Sequence, residues 1–136
     1  MIEQFGNAID PTQYKIMILD DIPVNTRLLQ KILEKENFQL FIYNNSIQAL
    51  DEIGEVMPDI LLLDVMMPGI DGPTFLTRIR ADHSFDNCRV IMVSAVSEAD
   101  EVAKTMALGA NGYITKPINA KSVVGTIYSQ LSQIQK

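Results

Sequence analysis

The chain has 136 residues, a net charge of −6 and one cysteine, with a mass of 15.2 kDa and a pI near 4.6. Hydrophobic residues at 47% and charged residues at 21% provide for one domain with one core and exclude a disordered chain. The acidic balance disfavours nucleic acid or an anionic membrane as a direct partner, and apolar runs such as residues 60–63 are far too short to span a bilayer. Residues 1–14 show neither the basic nor the apolar region of a signal peptide. Cys88 has no internal partner for a disulfide. Both observations fit a cytoplasmic chain, divided into an N-terminal extension (1–13) and a domain (14–136).

The period of the apolar residues switches repeatedly along the chain. Residues 15–20 (KIMILD) predict a buried strand running into acid. Behind Pro23, which suits a first helical turn, Val24, Leu28, Ile32 and Leu33 recur at helical spacing. Residues 38–43 (FQLFIY) predict a second strand. Ser46 is placed to cap a helix carrying Ile47, Leu50, Ile53 and Met57, stopped by Pro58. Residues 59–63 (DILLL) form a third strand, again ending in acid, at Asp64. A turn-rich loop, 65–72 (VMMPGIDG), leads to Pro73 and a short helix with Phe75, Leu76 and Ile79 inward. Residues 89–93 (RVIMV) are a fourth strand, and 97–100 (SEAD) resemble a capping box for a helix ending at Gly109. Residues 112–114 (GYI) are a fifth strand. Asn119 caps a last helix whose stripe is Ala120, Val123, Val124, Ile127, Leu131 and Ile134.

Five strands thus alternate with five helices. The strands lack clean alternation of apolar and polar residues, so both sheet faces are covered, as in a parallel α/β sheet. Right-handed crossovers make a doubly wound open sheet the expected topology, with chemistry just beyond the carboxyl ends of the strands. That rule collects Asp20 and Asp21, Asp64, Ser94, and Thr115 with Lys116 on one edge. Three crowded carboxylates repel, and each pKa rises unless a cation intervenes. Carboxylate oxygens suit Mg²⁺, which commonly sits where a phosphate binds. A lysine beside them balances a transferring phosphoryl group, a serine hydroxyl bonds one of its oxygens, and the central acid can be the nucleophile. The residues alone therefore point to metal-assisted phosphoryl transfer onto a carboxylate.

Four motifs in order, ILDD (18–21), LLLDVMMPGIDG (61–72), VIMVSA (90–95) and GANGYITKP (109–117), carry a resemblance to the receiver domain of two-component response regulators. It covers residues 14–135. The resemblance implies a flavodoxin-like fold with strand order 2-1-3-4-5, and phosphorylation by a histidine kinase or histidine phosphotransfer protein. Position by position it implies Asp64 as phospho-acceptor, and Asp20, Asp21, Asp64 and the Met66 carbonyl as Mg²⁺ ligands. It further implies Ser94 and Tyr113 as switch residues, Lys116 as the active-site lysine, and a cis bond before Pro117. The switching surface is then the fourth helix, fifth strand and fifth helix, read by an output domain or partner protein, with dimerisation on phosphorylation a further possibility. Such a domain is a signalling module whose own chemistry is confined to self-phosphorylation and autodephosphorylation.

Other readings compete. An aspartate-nucleophile phosphohydrolase needs a general acid two residues past the nucleophile, where this chain has Met66, and a substrate-covering cap. A receiver-shaped module indifferent to phosphate has no need of the full acid, serine and lysine set. His83 lies in a polar loop and is read as exposed, Cys88 as a half-buried small apolar group, and Met17, Met57, Met92 and Met106 as core filler.

Overall fold

The computed structural model describes residues 9–134. Five strands, β1 (Lys15–Leu19), β2 (Gln39–Tyr43), β3 (Ile60–Asp64), β4 (Arg89–Ser94) and β5 (Gly112–Thr115), alternate with five helices. These are α1 (Pro23–Glu34), α2 (Ser46–Val56), α3 (Gly72–Arg80), α4 (Ala99–Ala107) and α5 (Ala120–Ile134). All strands pair in parallel, in the order β2-β1-β3-β4-β5. The expected doubly wound, flavodoxin-like topology is therefore the observed one.

The absence of polar alternation has a direct cause. Each strand sends successive side chains to opposite faces, and both faces are apolar. On one side Ile16, Ile18, Ile60, Leu62, Ile91 and Val93 pack under α1 and α5, through Leu29, Leu33, Val123, Ile127 and Leu131. On the other, Met17, Leu19, Leu61, Leu63, Val90 and Met92 pack under α2 and α3, through Ala49, Ile53, Phe75, Leu76 and Ile79. Burying one such aliphatic side chain stabilises the fold by about 1.5–3 kcal/mol. Ile9 joins the first of these cores, and a 3-10 turn at Pro11–Gln13 leads into β1. Residues 1–8 of the expected extension lie outside the described residues.

Several local expectations need correction. In α1 the buried residues are Thr26, Leu29 and Leu33, whereas Val24 and Leu28 are 60% and 45% exposed. The helix carries two overlapping i, i+4 stripes, and the sheet takes the one shared with Thr26, whose hydroxyl donates to the Pro23 carbonyl (3.0 Å). The α2 cap is Asn45, whose side chain accepts from the Gln48 N–H; Ser46 is already inside the helix. Ile47 and Met57 are exposed, and Met57 closes the helix in the left-handed region (φ 49°) ahead of Pro58. At α4 the cap position is Glu98, with no side-chain capping bond, so Ser97 opens no capping box. Ala120 is exposed at the start of α5. Cys88 is fully buried rather than half-buried. His83 is exposed, paired with Asp86. Asn119 does cap α5, accepting from the Ser122 N–H (3.0 Å).

Candidate functional site

Asp20 and Lys116 are placed by hydrogen bonds that carry the sheet ladder one residue past its strands. The Asp20 N–H donates to the Tyr43 carbonyl (3.2 Å) and the Lys116 N–H to the Ser94 carbonyl (2.7 Å). Asp64 is the last residue of β3, in the middle of the sheet. One carboxylate oxygen from each of Asp20, Asp21 and Asp64 lies within 4.8 Å of the others. The Lys116 ammonium bridges two of the acids, with Nζ 3.3 Å from Asp20 Oδ2 and 3.3 Å from Asp64 Oδ1. The convergence expected at the switch point is present for these four residues. Thr115 is exposed at the end of β5 and takes no part in it. The peptide bond between Lys116 and Pro117 is cis.

Three carboxylates share one ammonium, so the site is short of positive charge. Burial, and next the Asp20 carboxylate, push the Asp64 carboxyl above its ordinary range despite Lys116 beside it. Burial alone would lower the Lys116 pKa, but Asp64 and then Asp20 outweigh it, and the net shift is upward. The two partners move in senses that do not describe a balanced pair: the lysine faces two anions, while Asp64 faces a cation and like charges. A donor set of carboxylates with unneutralised charge suits a hard divalent cation. These residues fit such an ion.

The loop 65–71 leaves this cluster for α3. The Gly72 N–H donates back to the Val65 carbonyl (2.8 Å), and Asp71 caps α3 at the Thr74 N–H (2.8 Å). Only glycine fits at position 72, since a Cβ there would run into the Asp64 carbonyl oxygen and stand 2.7 Å from Val65 Cα. At the crest Met66 is 71% exposed, and it offers no side-chain acid where a phosphohydrolase would need one. Met67 points the other way, into the second core.

The two expected switch residues meet at Val96. The buried Ser94 hydroxyl accepts from the Val96 N–H (3.0 Å), and the Tyr113 hydroxyl donates to the Val96 carbonyl (2.8 Å). The Tyr113 ring packs, partly buried, against the second core. Sequence reasoning missed three further contributors. Asn25 donates to Asp20 Oδ2 (3.1 Å), and Asn44 donates to the Asp20 carbonyl (2.8 Å) and to Thr26 Oγ1 (3.0 Å). Ser46 holds the loop after Asp64. The only signal of the last two was a run of short polar residues, 44–46, which reads as an ordinary turn and cap.

Doubly wound sheets with an acid cluster and a lysine at the switch point define a class, and comparison with known proteins resolves it. The chain belongs to the response regulator receiver domain family, whose model matches residues 16–128. Sporulation initiation phosphotransferase F of Bacillus subtilis is 36% identical over 109 residues, covering 80% of this chain and 86% of that protein. The DNA-binding response regulator MtrA of Mycolicibacterium smegmatis is 29% identical over 123 residues, 90% of this chain but only 53% of that protein. The chain thus spans about half the length of the latter. A solved CheX–CheY–BeF₃–Mg²⁺ complex from Borrelia burgdorferi matches with a TM-score of 0.79 and 28% identity, over 90% of each chain. Among the described residues no helix is long and apolar enough to cross a membrane.

Proposed function

We propose that this domain accepts a phosphoryl group on Asp64 from the phosphohistidine of a histidine kinase or phosphotransfer protein in the cytoplasm, and passes on the resulting change of shape. The observation that carries the reading is Lys116 Nζ lying 3.3 Å from both Asp64 Oδ1 and Asp20 Oδ2 at the end of the central strand. An Asp64 carboxylate oxygen attacks phosphorus, an O–P bond forms as the N–P bond of the donor breaks, and the departing imidazole nitrogen keeps the electron pair and takes a proton from solvent. Lys116 donates to a phosphoryl oxygen as charge gathers there. Mg²⁺ held by Asp20, Asp21, Asp64 and the Met66 carbonyl would supply the positive charge this acid cluster lacks. An all-oxygen donor set, three carboxylates and a carbonyl, favours that ion over a softer metal.

Transmission then follows from Val96. A phosphoryl oxygen on Asp64 offers the Ser94 hydroxyl an acceptor it lacks among the described residues, and the Val96 N–H loses its partner as Ser94 turns. The Tyr113 hydroxyl, bonded to the carbonyl of the same Val96 residue, feels that movement on the α4–β5–α5 surface. The domain is a signalling module with limited self-catalysis, and an output domain or partner protein reads its state. Incubating the chain with a small phosphodonor tests the reading. Uptake of one phosphoryl group with Mg²⁺ and loss of uptake on chelation are expected; equal uptake with and without metal refutes it.

A further inference from the structure

We infer that Ser46 is a positioning residue for the metal-binding loop: its hydroxyl clamps the turn 68–70 and thereby holds the Met66 carbonyl at the acid cluster. The inference rests on the Mg²⁺ reading above. Ser46 is buried at the first position of α2, where its hydroxyl caps nothing, because Asn45 performs that task. Instead Oγ donates to the Pro68 carbonyl (3.2 Å) and accepts from the Ile70 N–H (3.1 Å). One hydroxyl thus closes both ends of a turn whose middle residue, Gly69, is left-handed (φ 79°) and would bring a Cβ to 3.4 Å from Ser46 Oγ.

The consequence for Met66 follows from what else fixes the loop. Its near end is tied by the Gly72 N–H to the Val65 carbonyl, and Met67 is buried in the core. Between Val65 and the clamped Pro68 only Met66 and Met67 remain, so the direction of the Met66 carbonyl is set by the two flanking ties. A cleft of about 190 Å³ lined by Asp21, Asn45, Ser46, Pro68 and Gly69 puts the clamp beside one acid of the cluster, Asp21. Removing the hydroxyl leaves the Ile70 N–H and the Pro68 carbonyl without their partner. The turn must then move to hydrate them, taking the Met66 carbonyl with it. Groups that orient metal ligands without touching the metal change affinity by about 10–100-fold where they hold a ligating side chain. For one carbonyl on a short loop, held only through the backbone, we expect a smaller effect than for a side chain, about 3- to 10-fold.

The test measures Mg²⁺ binding by calorimetry in wild type, Ser46→Ala and Asn45→Ala, together with amide exchange at Ile70 without metal. Asn45→Ala removes the α2 cap next door and destabilises the helix end without touching the clamp. Expected are a 3- to 10-fold weaker Mg²⁺ affinity and a several-fold faster Ile70 exchange in Ser46→Ala only. The Mg²⁺ needed for half-maximal phosphorylation should rise equally, with the rate at saturating Mg²⁺ unchanged. Wild-type affinity in Ser46→Ala, or the same loss in Asn45→Ala, overturns the inference while leaving the metal site intact. A wild-type chain that binds no Mg²⁺ overturns the site reading and the inference together. Should Ser46→Ala fold poorly, Ser46→Cys keeps the size of the side chain with only weak hydrogen bonding and answers the same question.

Discussion

Replacing Asp21 with asparagine removes one of three negative charges that the fold forces together. Oxygens of Asp20, Asp21 and Asp64 lie within 4.8 Å of each other, and among the described residues Lys116 pairs with Asp20 and Asp64 but not with Asp21. Two unit charges at that separation repel by about 3.5 kcal/mol at an effective dielectric of 20 and by about 0.9 kcal/mol in water. Asp21 is partly exposed, so the value close to water governs. Metal-free Asp21→Asn should therefore be more stable than wild type by about 1 kcal/mol, a shift of about 0.3–1 M in the urea midpoint. Mg²⁺ at a hundredfold excess over its dissociation constant stabilises a binding protein by about 2.7 kcal/mol, and the variant should lose most of that. The gain should also depend on pH. The Asp64 carboxyl is held above its ordinary 3.8, so the folded chain binds that proton more tightly than the unfolded one, and the repulsion is relieved as pH falls through the raised value. The advantage of Asp21→Asn should shrink over the same window. Urea unfolding with Mg²⁺ and with chelator, at neutral and acidic pH, measures all three. A metal-free variant less stable than wild type, or one still stabilised by Mg²⁺, would falsify the charge argument.

Met66→Asn places a water-orienting amide on the exposed crest of the loop, and about 1.4 kcal/mol of transition-state stabilisation would shorten the phosphoryl lifetime tenfold; equal decay rates after donor removal would show that the side chain never meets the attacking water. Ser94→Ala should still accept phosphate but lose the amide-exchange changes that a phosphoryl mimic causes over residues 97–109, whereas changes equal to those of wild type would take Ser94 out of the switch. Gly72→Ala drives a Cβ into the backbone of Asp64 and Val65 and should cost about 1–3 kcal/mol in a denaturant melt; an unaffected midpoint would contradict the packing. Burial pushes the Cys88 thiol from 9.0 up to about 12, so the folded chain should resist a thiol reagent at pH 8 until it unfolds, with a thiolate population about a thousandfold lower. The same raised value means that the Cys88 contribution to stability falls as pH rises from 9 towards 12, and rapid labelling of the native chain would refute both statements.

The order of elements and the acid cluster were legible because both follow from rules that act over a few residues. Apolar runs ending in Asp20 and Asp64 mark strand ends, and a doubly wound sheet brings strand ends together. Lys116 gained meaning only from that topology. Helix faces were less legible. In α1 Val24 and Leu28 compete with Leu29 and Leu33 as equally apolar stripes, and only packing against the sheet chooses between them. Ser46 reads as a cap because serine before a helix usually is one, yet Asn45 stands one residue earlier and is equally suited. The hydroxyl of Ser46 was then free to reach residues 68 and 70, a contact across more than twenty residues that no local pattern announces. Asn44 escaped notice for the same reason, since it reaches the Asp20 carbonyl from beyond β2, whereas Asn25, only five residues from Asp20, reads as an ordinary polar residue in the first turn of α1.

Site mapping of the phosphorylated chain tests the central claim most directly. Borohydride reduces an aspartyl phosphate to homoserine, so peptide mass mapping after reaction with a phosphodonor and Mg²⁺ reports which acid carried the group. The geometry around Lys116 and β3 predicts homoserine at position 64 alone, and none in the Asp64→Asn chain. Homoserine at position 20 or 21, or undiminished labelling of Asp64→Asn, would contradict the account.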